Sequence, residues 1–430
     1  MIQNERPSLA NSLWSATANP SPPCPPLTGQ AEAGTVVIGG GFTGLSTALH
    51  LAEAGHCVTV LEAETPGWGA SGRNGGQVNP GLKANPAETE TQFGMDLGRR
   101  MVALSGGAGA LVFDLISKHN IQCDARNCGW VRAATNSRTL ESLHGAGRQW
   151  RARGHDVDEL TAAEMAHLLG TDAYVGGLID RRGGNIHPLN YALGLANAAV
   201  NAGARLHGNS RVTGVEGTPD TVTVRTRDGT ITAKRAIICT NAYTGDLAPP
   251  LSQSVVPVTS VQVATQPLLE NVAKSILPMG HSPTDTRRLI FYFRKDAAGR
   301  FIMGGRGAMG DAGIAKRQEA LRRAARALYP QIGEAGWTHA WGGNVAMTRD
   351  HVPGLHQIAP NVVAALGYNG RGVGMATAMG TVLAKWAQGA APDALDFPMT
   401  QARPIRFHRF RNIGVGTTVA TFRLMDRLGI

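Results

Sequence analysis

Thr35-Val36-Val37-Ile38-Gly39-Gly40-Gly41-Phe42-Thr43-Gly44 is the stretch on which the fold turns. The run Thr35–Ile38 is short and apolar, as expected of a strand buried on both faces of a parallel sheet. After the glycines, Leu45, Ala48, Leu49 and Ala52 recur at i, i+3, i+4 and i+7, a helical stripe that ends at Gly55. Val58-Thr59-Val60-Leu61 gives a second strand, closed by Glu62. Strand, helix and strand make one right-handed β-α-β unit. Within it, Gly39-x-Gly41-x-x-Gly44 has the spacing of a dinucleotide-binding turn. Gly39 permits the tight turn, Gly41 the approach of a pyrophosphate, and Gly44 the close packing of helix on sheet. The helix N-terminus offers amides to phosphate. Glu62, 23 positions after Gly39, can accept hydrogen bonds from ribose hydroxyls, and its charge argues against a 2′-phosphate.

Three further stretches extend this reading. Gly67–Gln77 follows Glu62 almost at once. It is dense in glycine, alanine and serine and carries Arg73 and Asn74 as donors, which suits a strand wrapping a ligand longer than a pyrophosphate. Ile237-Ile238-Cys239-Thr240-Asn241-Ala242-Tyr243 is a buried strand ending in small residues, able to bring backbone to the same sheet edge. Gly367-Tyr368-Asn369-Gly370-Arg371-Gly372 precedes a helix from about Val373 to Gln388. Amides at such a terminus can face developing negative charge.

Composition narrows the class. The 430 residues are 43% hydrophobic and 17% charged, which excludes a disordered polyelectrolyte. No apolar run approaches the ~18 residues of a membrane span, no secretory signal is visible, and a cytoplasmic setting is expected. Cys24, Cys57, Cys123, Cys128 and Cys239 are too scattered for a disulfide framework or a metal knuckle, so no metal is expected. The net charge is +10, compatible with an anionic ligand. With 5% aromatic residues, nucleic acid is not expected as a partner. Residues 1–34 carry Pro20, Pro22, Pro23, Pro25 and Pro26 and read as an extended arm. Nucleotide-fold elements sit near the start, middle and end of the chain, with strand-rich material between.

The segments TVVIGGGFTGLSTALHLAEAGHCVTVLE, GWGASGRNGGQV, RAIICTNAYT and GYNGRGVGMATAMG together resemble the D-amino-acid-oxidase superfamily of FAD-dependent oxidoreductases. The Gly-Ala-Ser-Gly-Arg-Asn-Gly-Gly-Gln run is similar to its branch of bacterial amine oxidoreductases, which includes γ-glutamylputrescine oxidase. The resemblance covers about residues 10–425. It implies an α/β fold, a Rossmann-type FAD-binding domain interleaved with an α+β, mainly antiparallel-sheet substrate domain. The FAD-binding domain is expected at 35–84, 186–250 and 338–390, the substrate domain at 85–185 and 251–337, and a C-terminal segment at 391–430. It implies FAD contacts at Gly39, Gly41, Phe42, Thr43, Gly44, Glu62, Ala63, Gly69, Ala70, Ser71, Arg73, Asn74, Gly75, Gly76, Gln77, Val212, Thr240, Asn241, Ala242, Gly370, Arg371, Gly372, Val373 and Gly374. Some relatives attach flavin through a late cysteine. Here the last is Cys239, so non-covalent FAD is expected.

The implied chemistry is oxidation of an amine or amino acid, with hydride passing from the carbon bearing nitrogen to flavin N5 and the imine then hydrolysing. Electrons go on to O2 or, in the alternative reading, to a quinone or other carrier. A non-catalytic flavin-bearing subunit is the rival of a different class. No acid–base dyad stands out. Substrate-site candidates are Tyr292, Arg294, Arg306, Trp341, Tyr368 and His187. Tyr292 and Arg294 share one face of a strand at period 2, and Arg294 could take a carboxylate; for His187 a structural role is the safer reading. Arg403-Pro404-Ile405-Arg406-Phe407-His408-Arg409-Phe410-Arg411 is the one basic-aromatic cluster. Its expected behaviour is to pack the phenylalanines on the body and solvate the arginines, with contact to a membrane surface the minor reading.

Overall fold

The computed structural model describes residues 6–308 and 310–428. Two sheets organise them. In the first, the strand Gly29–Ile38 lies at the centre, parallel to Gly229–Ile238 on one side and to Val58–Leu61 on the other. Arg205–His207 continues the sheet beyond Val58–Leu61, and Val362–Leu366 beyond Gly229–Ile238, again in parallel. One row of side chains therefore runs Val363, Ile237, Val37, Val60, Leu206 across five strands. That row faces a core shared with the helices Phe42–Glu53, Pro188–Asn201 and Gly372–Ala387. The intervening row, with Val36, Ile38, Ala236, Ile238 and Ala364, faces a second core. Burial on both sides is why these strands read as unbroken apolar runs.

The helices pack close because small residues let them. Gly380 approaches Ser46 so nearly that a Cβ there would stand 2.4 Å from the serine Oγ. Ser46 Oγ donates to the Thr377 carbonyl at 2.8 Å across the same junction.

The second sheet runs in the order Trp337–Met347, Val256–Pro267, Arg300–Ala308, Phe291–Lys295, Ser282–Asp285, Trp130–Ala134, Gly176–Asp180, Val157–Thr161. Its pairs are antiparallel apart from Ser282–Asp285 with Trp130–Ala134. One face packs an apolar core with Leu321 and Ala325 of the helix Gly310–Leu328. The other face turns toward the first sheet, and a two-stranded ribbon, Gln77–Val78 with Gly184–Asn185, lies beside it.

Four expectations change. The arm 1–34 is not simply extended. The central strand begins at Gly29, and Leu13–Ala16 forms a helical turn capped by Ser12, whose Oγ accepts from Ser15 N–H at 3.1 Å. Leu13 and Trp14 are fully buried against Leu189, Leu193 and Trp341, and Trp14 Nε1–H donates to the Asn74 carbonyl at 2.9 Å. Proline excludes a helix only where proline stands, and residues 13–16 precede the first of that run.

The expected segments also divide differently. Trp337–Met347 pairs along its length with Val256–Pro267 in the second sheet, so the 338–390 segment is split. Helix Met95–Lys118, placed in 85–185, contributes Met101, Ala108, Val112 and Leu115 to the core of the first sheet. That helix is also long and apolar enough to cross a membrane by length and composition, against the expectation that no such run exists. Its apolar stripe is occupied by packing within the fold. Finally, a helix, Arg411–Leu428, ends the described chain, and Phe407 and Phe410 stand exposed instead of packed on the body.

Trp14 tests whether the arm is core. Trp14→Ala should destabilise the fold by about 3–5 kcal/mol, the cost of truncating a buried tryptophan, measured by chemical denaturation. A loss under about 1 kcal/mol would show that the arm is dispensable packing.

Candidate active site

The carboxyl ends of the parallel strands open into a cleft of about 700 Å³, within the range of small-molecule and cofactor sites. Ligands of open α/β sheets bind at this edge. The first-sheet wall is made by the turn after Gly29–Ile38, the end of Val58–Leu61, the turn after Gly229–Ile238 and the loop before Gly372–Ala387. The opposite wall is the inner face of the second sheet, where Arg132, Thr284, Tyr292 and Gln262 share one row of the register.

The turn is built as its glycines require. Gly39 has φ of +110°, and a Cβ on Gly44 would fall 2.0 Å from the Gly39 carbonyl oxygen. Phe42 N–H donates to Ser71 Oγ at 3.0 Å, tying the helix start to the wrapping loop. Glu62 is buried and spans two amides: Oε2 accepts from Gly40 N–H at 2.6 Å and Oε1 from Glu64 N–H at 3.0 Å. Burial raises its pKa, and those amides act in the opposite direction. Glu62, expected to accept from ribose hydroxyls, thus also holds the turn.

Of the residues expected at the cofactor, Gly39, Gly41, Phe42, Thr43, Glu62, Ala63, Gly69, Ala70, Ser71, Arg73, Asn74, Gly75, Gln77, Val212, Thr240, Asn241, Gly370, Arg371, Gly372 and Val373 line the cleft. Gly44, Gly76, Ala242 and Gly374 do not. Gly44 sits behind the turn. A Cβ on Gly76 would strike the Ile186 carbonyl, Ala242 is buried in the second core of the first sheet, and Gly374 packs on Ala108. Arg73 and Asn74 line the cleft but spend side-chain donors on their own loop: Arg73 Nε to the Trp68 carbonyl at 2.9 Å, and Asn74 Nδ2 to the Ser71 carbonyl at 2.8 Å.

The substrate candidates separate into two groups. Tyr292, Arg306 and Tyr368 line the cleft. The Tyr292 ring lies between two glycines; a Cβ on Gly304 would come within 2.2 Å of it and one on Gly75 within 2.7 Å. Its hydroxyl meets Ser260 Oγ at 2.9 Å, and burial raises its pKa, keeping the phenol protonated. Arg306 donates to the Asn369 carbonyl at 3.3 Å, and Tyr368 hydroxyl meets Thr43 Oγ1 at 2.7 Å.

Arg294, Trp341 and His187 are elsewhere. Arg294 is buried behind the wrapping loop, bonded to the Ile186 carbonyl and set 5.6 Å over the Trp14 ring. It is a structural cation and takes no carboxylate from the cleft. Trp341 Nε1 donates to the Arg73 carbonyl at 3.1 Å. His187 caps the helix Pro188–Asn201: Nδ1 accepts from Asn190 N–H at 3.1 Å, which leaves Nε2–H to face Thr17 Oγ1 at 3.0 Å.

Sequence reasoning missed Lys83, Trp130, Arg132, Ser260, Gln262 and Thr284, all of which line the cleft. Arg132 carried a signal: it interrupts the apolar strand Trp130–Ala134 at period 2, between Val131 and Ala133. The others carried none, because their strands became a wall only through long-range pairing.

Burial, then the charge of Arg294, pushes the His187 pKa down to about 4 from 6.5. A depressed folded pKa means the unfolded chain binds the proton first. Stability from this site is therefore complete above pH 6.5 and is lost as pH falls toward 4. His187→Asn keeps a capping acceptor without the titration. Its stability should be flatter than wild type across that window, by on the order of 3 kcal/mol at the acid end; parallel curves would contradict the assignment.

A flavin dinucleotide can be tested against this geometry. The glycine turn and helix start at Gly41–Thr43 suit a pyrophosphate, and Glu62 lines the cleft beside that turn. Two buried amide oxygens on the cleft, Gln262 Oε1 and Asn79 Oδ1, have no hydrogen-bond partner within the protein. Buried acceptors of this kind call for a donor, which the ring N–H of a flavin provides. The residues fit the group.

Comparison with known proteins agrees. The family model for FAD-dependent oxidoreductases matches residues 35–386. The chain is 33% identical over 428 residues to γ-glutamylputrescine oxidoreductase of Escherichia coli K12, covering 98% of this chain and 99% of that one. Among solved structures, glycine oxidase from Geobacillus kaustophilus superposes with a TM-score of 0.69 at 22% identity, over 85% of this chain and 96% of that one. L-proline dehydrogenase from P. horikoshii gives 0.69 at 20% identity, over 89% and 99%. At these identities the structures speak to the fold alone. With its glycine turn, its two-sheet cleft and a family match across most of its length, the chain belongs to the FAD-dependent oxidoreductases and uses FAD as its cofactor.

Proposed function

We propose that this protein oxidises a small amine or amino acid at the carbon bearing nitrogen. The observation that carries the reading is a single cleft that joins the dinucleotide turn at Gly39–Thr43 to a sheet floor bearing Tyr292 and Arg306. The full-length similarity to a γ-glutamylputrescine oxidoreductase supports an amine as substrate. Bound FAD would supply the two-electron acceptor for hydride from that carbon, and the imine so formed would hydrolyse.

The protein's part is positioning. Gly39, Gly41 and Phe42 would hold the pyrophosphate, Glu62 the ribose, and the loop Gly370–Val373 would present backbone and the helix N-terminus to the reacting end. That loop is held firm. Asn369 Oδ1 accepts from Thr348 N–H at 2.9 Å, Asn369 Nδ2 donates to the Gly367 carbonyl at 2.6 Å, and Asn241 Oδ1 accepts from Gly367 N–H at 2.9 Å. Tyr292, flattened against Gly304 and Gly75, gives the substrate a rigid face. Orientation of a neutral amine is the main requirement of such chemistry, and no side-chain base needs to act.

Purified protein should be yellow, and the correct amine should bleach it anaerobically. Hydrogen peroxide on readmission of air marks an oxidase, and its absence a dehydrogenase that needs another acceptor. Flavin that no amine in a broad panel reduces would overturn the reading. Glu62→Ala should weaken FAD binding by ~1–3 kcal/mol, the range for hydrogen bonds to a charged acceptor, and should leave the flavin potential nearly unchanged. A large shift in potential at unchanged affinity would contradict the placement of Glu62 at the ribose.

A further inference from the structure

We infer that the C-terminal segment, from Arg403 through the helix Arg411–Leu428, docks the protein on an anionic lipid surface, with its arginines on the headgroups and Phe407, Phe410, Ile413 and Leu424 turned to the lipid. The inference is independent of the amine-oxidation reading.

The segment is fixed to the body along one side. Ile405 N–H donates to the Gln253 carbonyl at 2.9 Å, and His408 Nε2 lies 2.9 Å from the Val255 carbonyl. In the helix, Val415, Val419, Phe422 and Asp426 recur at i, i+4, i+7 and i+11 and are partly buried. Val419 packs so near Gly307 that a Cβ there would stand 3.2 Å from it. Asp426 closes the contact, its Oδ1 accepting from Arg288 N–H at 2.9 Å and its Oδ2 from Leu289 N–H at 3.1 Å. Phe422, on this inner side, lines the cleft.

The outer side does not have the composition of a face made for water. Phe407 is 75% exposed, Phe410 49%, Ile413 69% and Leu424 58%. Four of the ten large apolar side chains exposed among the described residues thus lie within 407–424. Every exposed position described between Asn412 and Leu424 is uncharged, whereas a surface helix carries its charged residues on its outer face. Charge is gathered ahead of the helix instead. From 397 to 425 the chain has five arginines and no aspartate or glutamate. Among the described residues, Arg403, Arg406, Arg409 and Arg411 form no ion pair, and Arg409 lies 4.7 Å from the Phe410 ring centre. The first turn of the helix holds no acidic residue, so the positive end of its dipole is crowded by cations where an anion is favoured.

These features select the occupant. Arginine interleaved with phenylalanine, followed by an uncharged helix face, suits an interfacial segment: the cations meet lipid phosphates while the apolar side chains enter the acyl boundary. A second copy of the chain is the poorer match, because docking this face on itself would bring two sets of arginines together with no carboxylate between them. A nucleic acid would satisfy the arginines and leave Ile413 and Leu424 in water. The net charge of +10 assists approach to an anionic surface. Because Phe422 faces the cleft from the inner side of the helix, one helix thickness of about 10–12 Å separates the cleft from the docked face, which gives lipid-dissolved molecules a short path to it.

The test is sedimentation of the FAD-loaded full chain with vesicles. The protein should sediment with vesicles of phosphatidylcholine and phosphatidylglycerol and not with phosphatidylcholine alone, and added salt should release it. Arg406→Gln with Arg409→Gln should weaken binding at least about 10-fold. Phe407→Ala with Phe410→Ala should weaken it comparably at unchanged charge. All four positions are exposed, so both pairs should keep wild-type flavin content and melting temperature. Arg227→Gln with Lys274→Gln removes the same charge from exposed positions elsewhere and should leave binding intact. Equal weakening by this control overturns the proposal, since attraction would then follow net charge and not the segment. Failure to sediment with anionic vesicles overturns it as well, as does full binding by the variant lacking both phenylalanines. A dimer that Phe407→Ala with Phe410→Ala dissolves, in a protein that ignores vesicles, would assign the face to a second copy. A single-stranded oligonucleotide bound through Arg406 and Arg409, again without vesicle binding, would assign it to nucleic acid. Either result replaces the lipid surface.

Discussion

The structure depends on how closely the helix Phe42–Glu53 follows the central strand. Three residues separate the end of one from the start of the other, and the turn closes only because Gly39 adopts φ of +110° and Gly44 brings no side chain against the Gly39 carbonyl. A single methyl group at position 44 would push the helix off the sheet. The shared core with Pro188–Asn201 and Gly372–Ala387 would lose its register, and the helix start would no longer point into the cleft. Fold and site are set by the same short contact.

A second joint connects the two sheets. The Arg73 carbonyl accepts from Gln262 Nε2 at 2.5 Å and from Trp341 Nε1 at 3.1 Å, both on the second sheet. Gln77 Nε2 donates to the Ser282 carbonyl at 2.8 Å, and Trp14 donates to the Asn74 carbonyl at 2.9 Å. The wrapping loop is thus fastened from three directions, by two of its backbone oxygens and by the Gln77 side chain. Its small side chains leave the opposite side clear for a ligand, which accounts for the density of glycine and serine better than flexibility does.

Much of this was legible in the sequence where local pattern and chemistry coincide. The strand–glycine–helix unit, Glu62 and the late glycine loop announce themselves because each residue type is required by a conformation or a close approach. The placement of Arg294, Trp341 and His187 was not legible. Period 2 puts Tyr292 and Arg294 on one face, yet the wrapping loop crosses that face between them, with Gly75 on the Tyr292 ring and Gly76 against Arg294. Alternation specifies a side of a sheet and says nothing about what lies over it. The same limit hid Gln262 and Ser260, and the proline run obscured the four-residue turn that buries Trp14. Arg132 was readable in principle, as a charge inside an apolar strand.

The central strand also carries a consequence for how the chain comes to be folded. Val37 pairs with Ile237, and Trp14 packs on Trp341, so the earliest-made segments wait for partners far downstream. At ribosomal rates of ~5–20 residues per second, the strand that completes one side of Gly29–Ile38 emerges roughly 10–40 s after it. During that interval the apolar edge of Val36, Val37 and Ile38 is unpaired, a template for the wrong strand. The β-α-β unit is therefore left with one open edge, and the nascent protein passes through a stage in which an apolar strand is exposed before the strand that covers it exists.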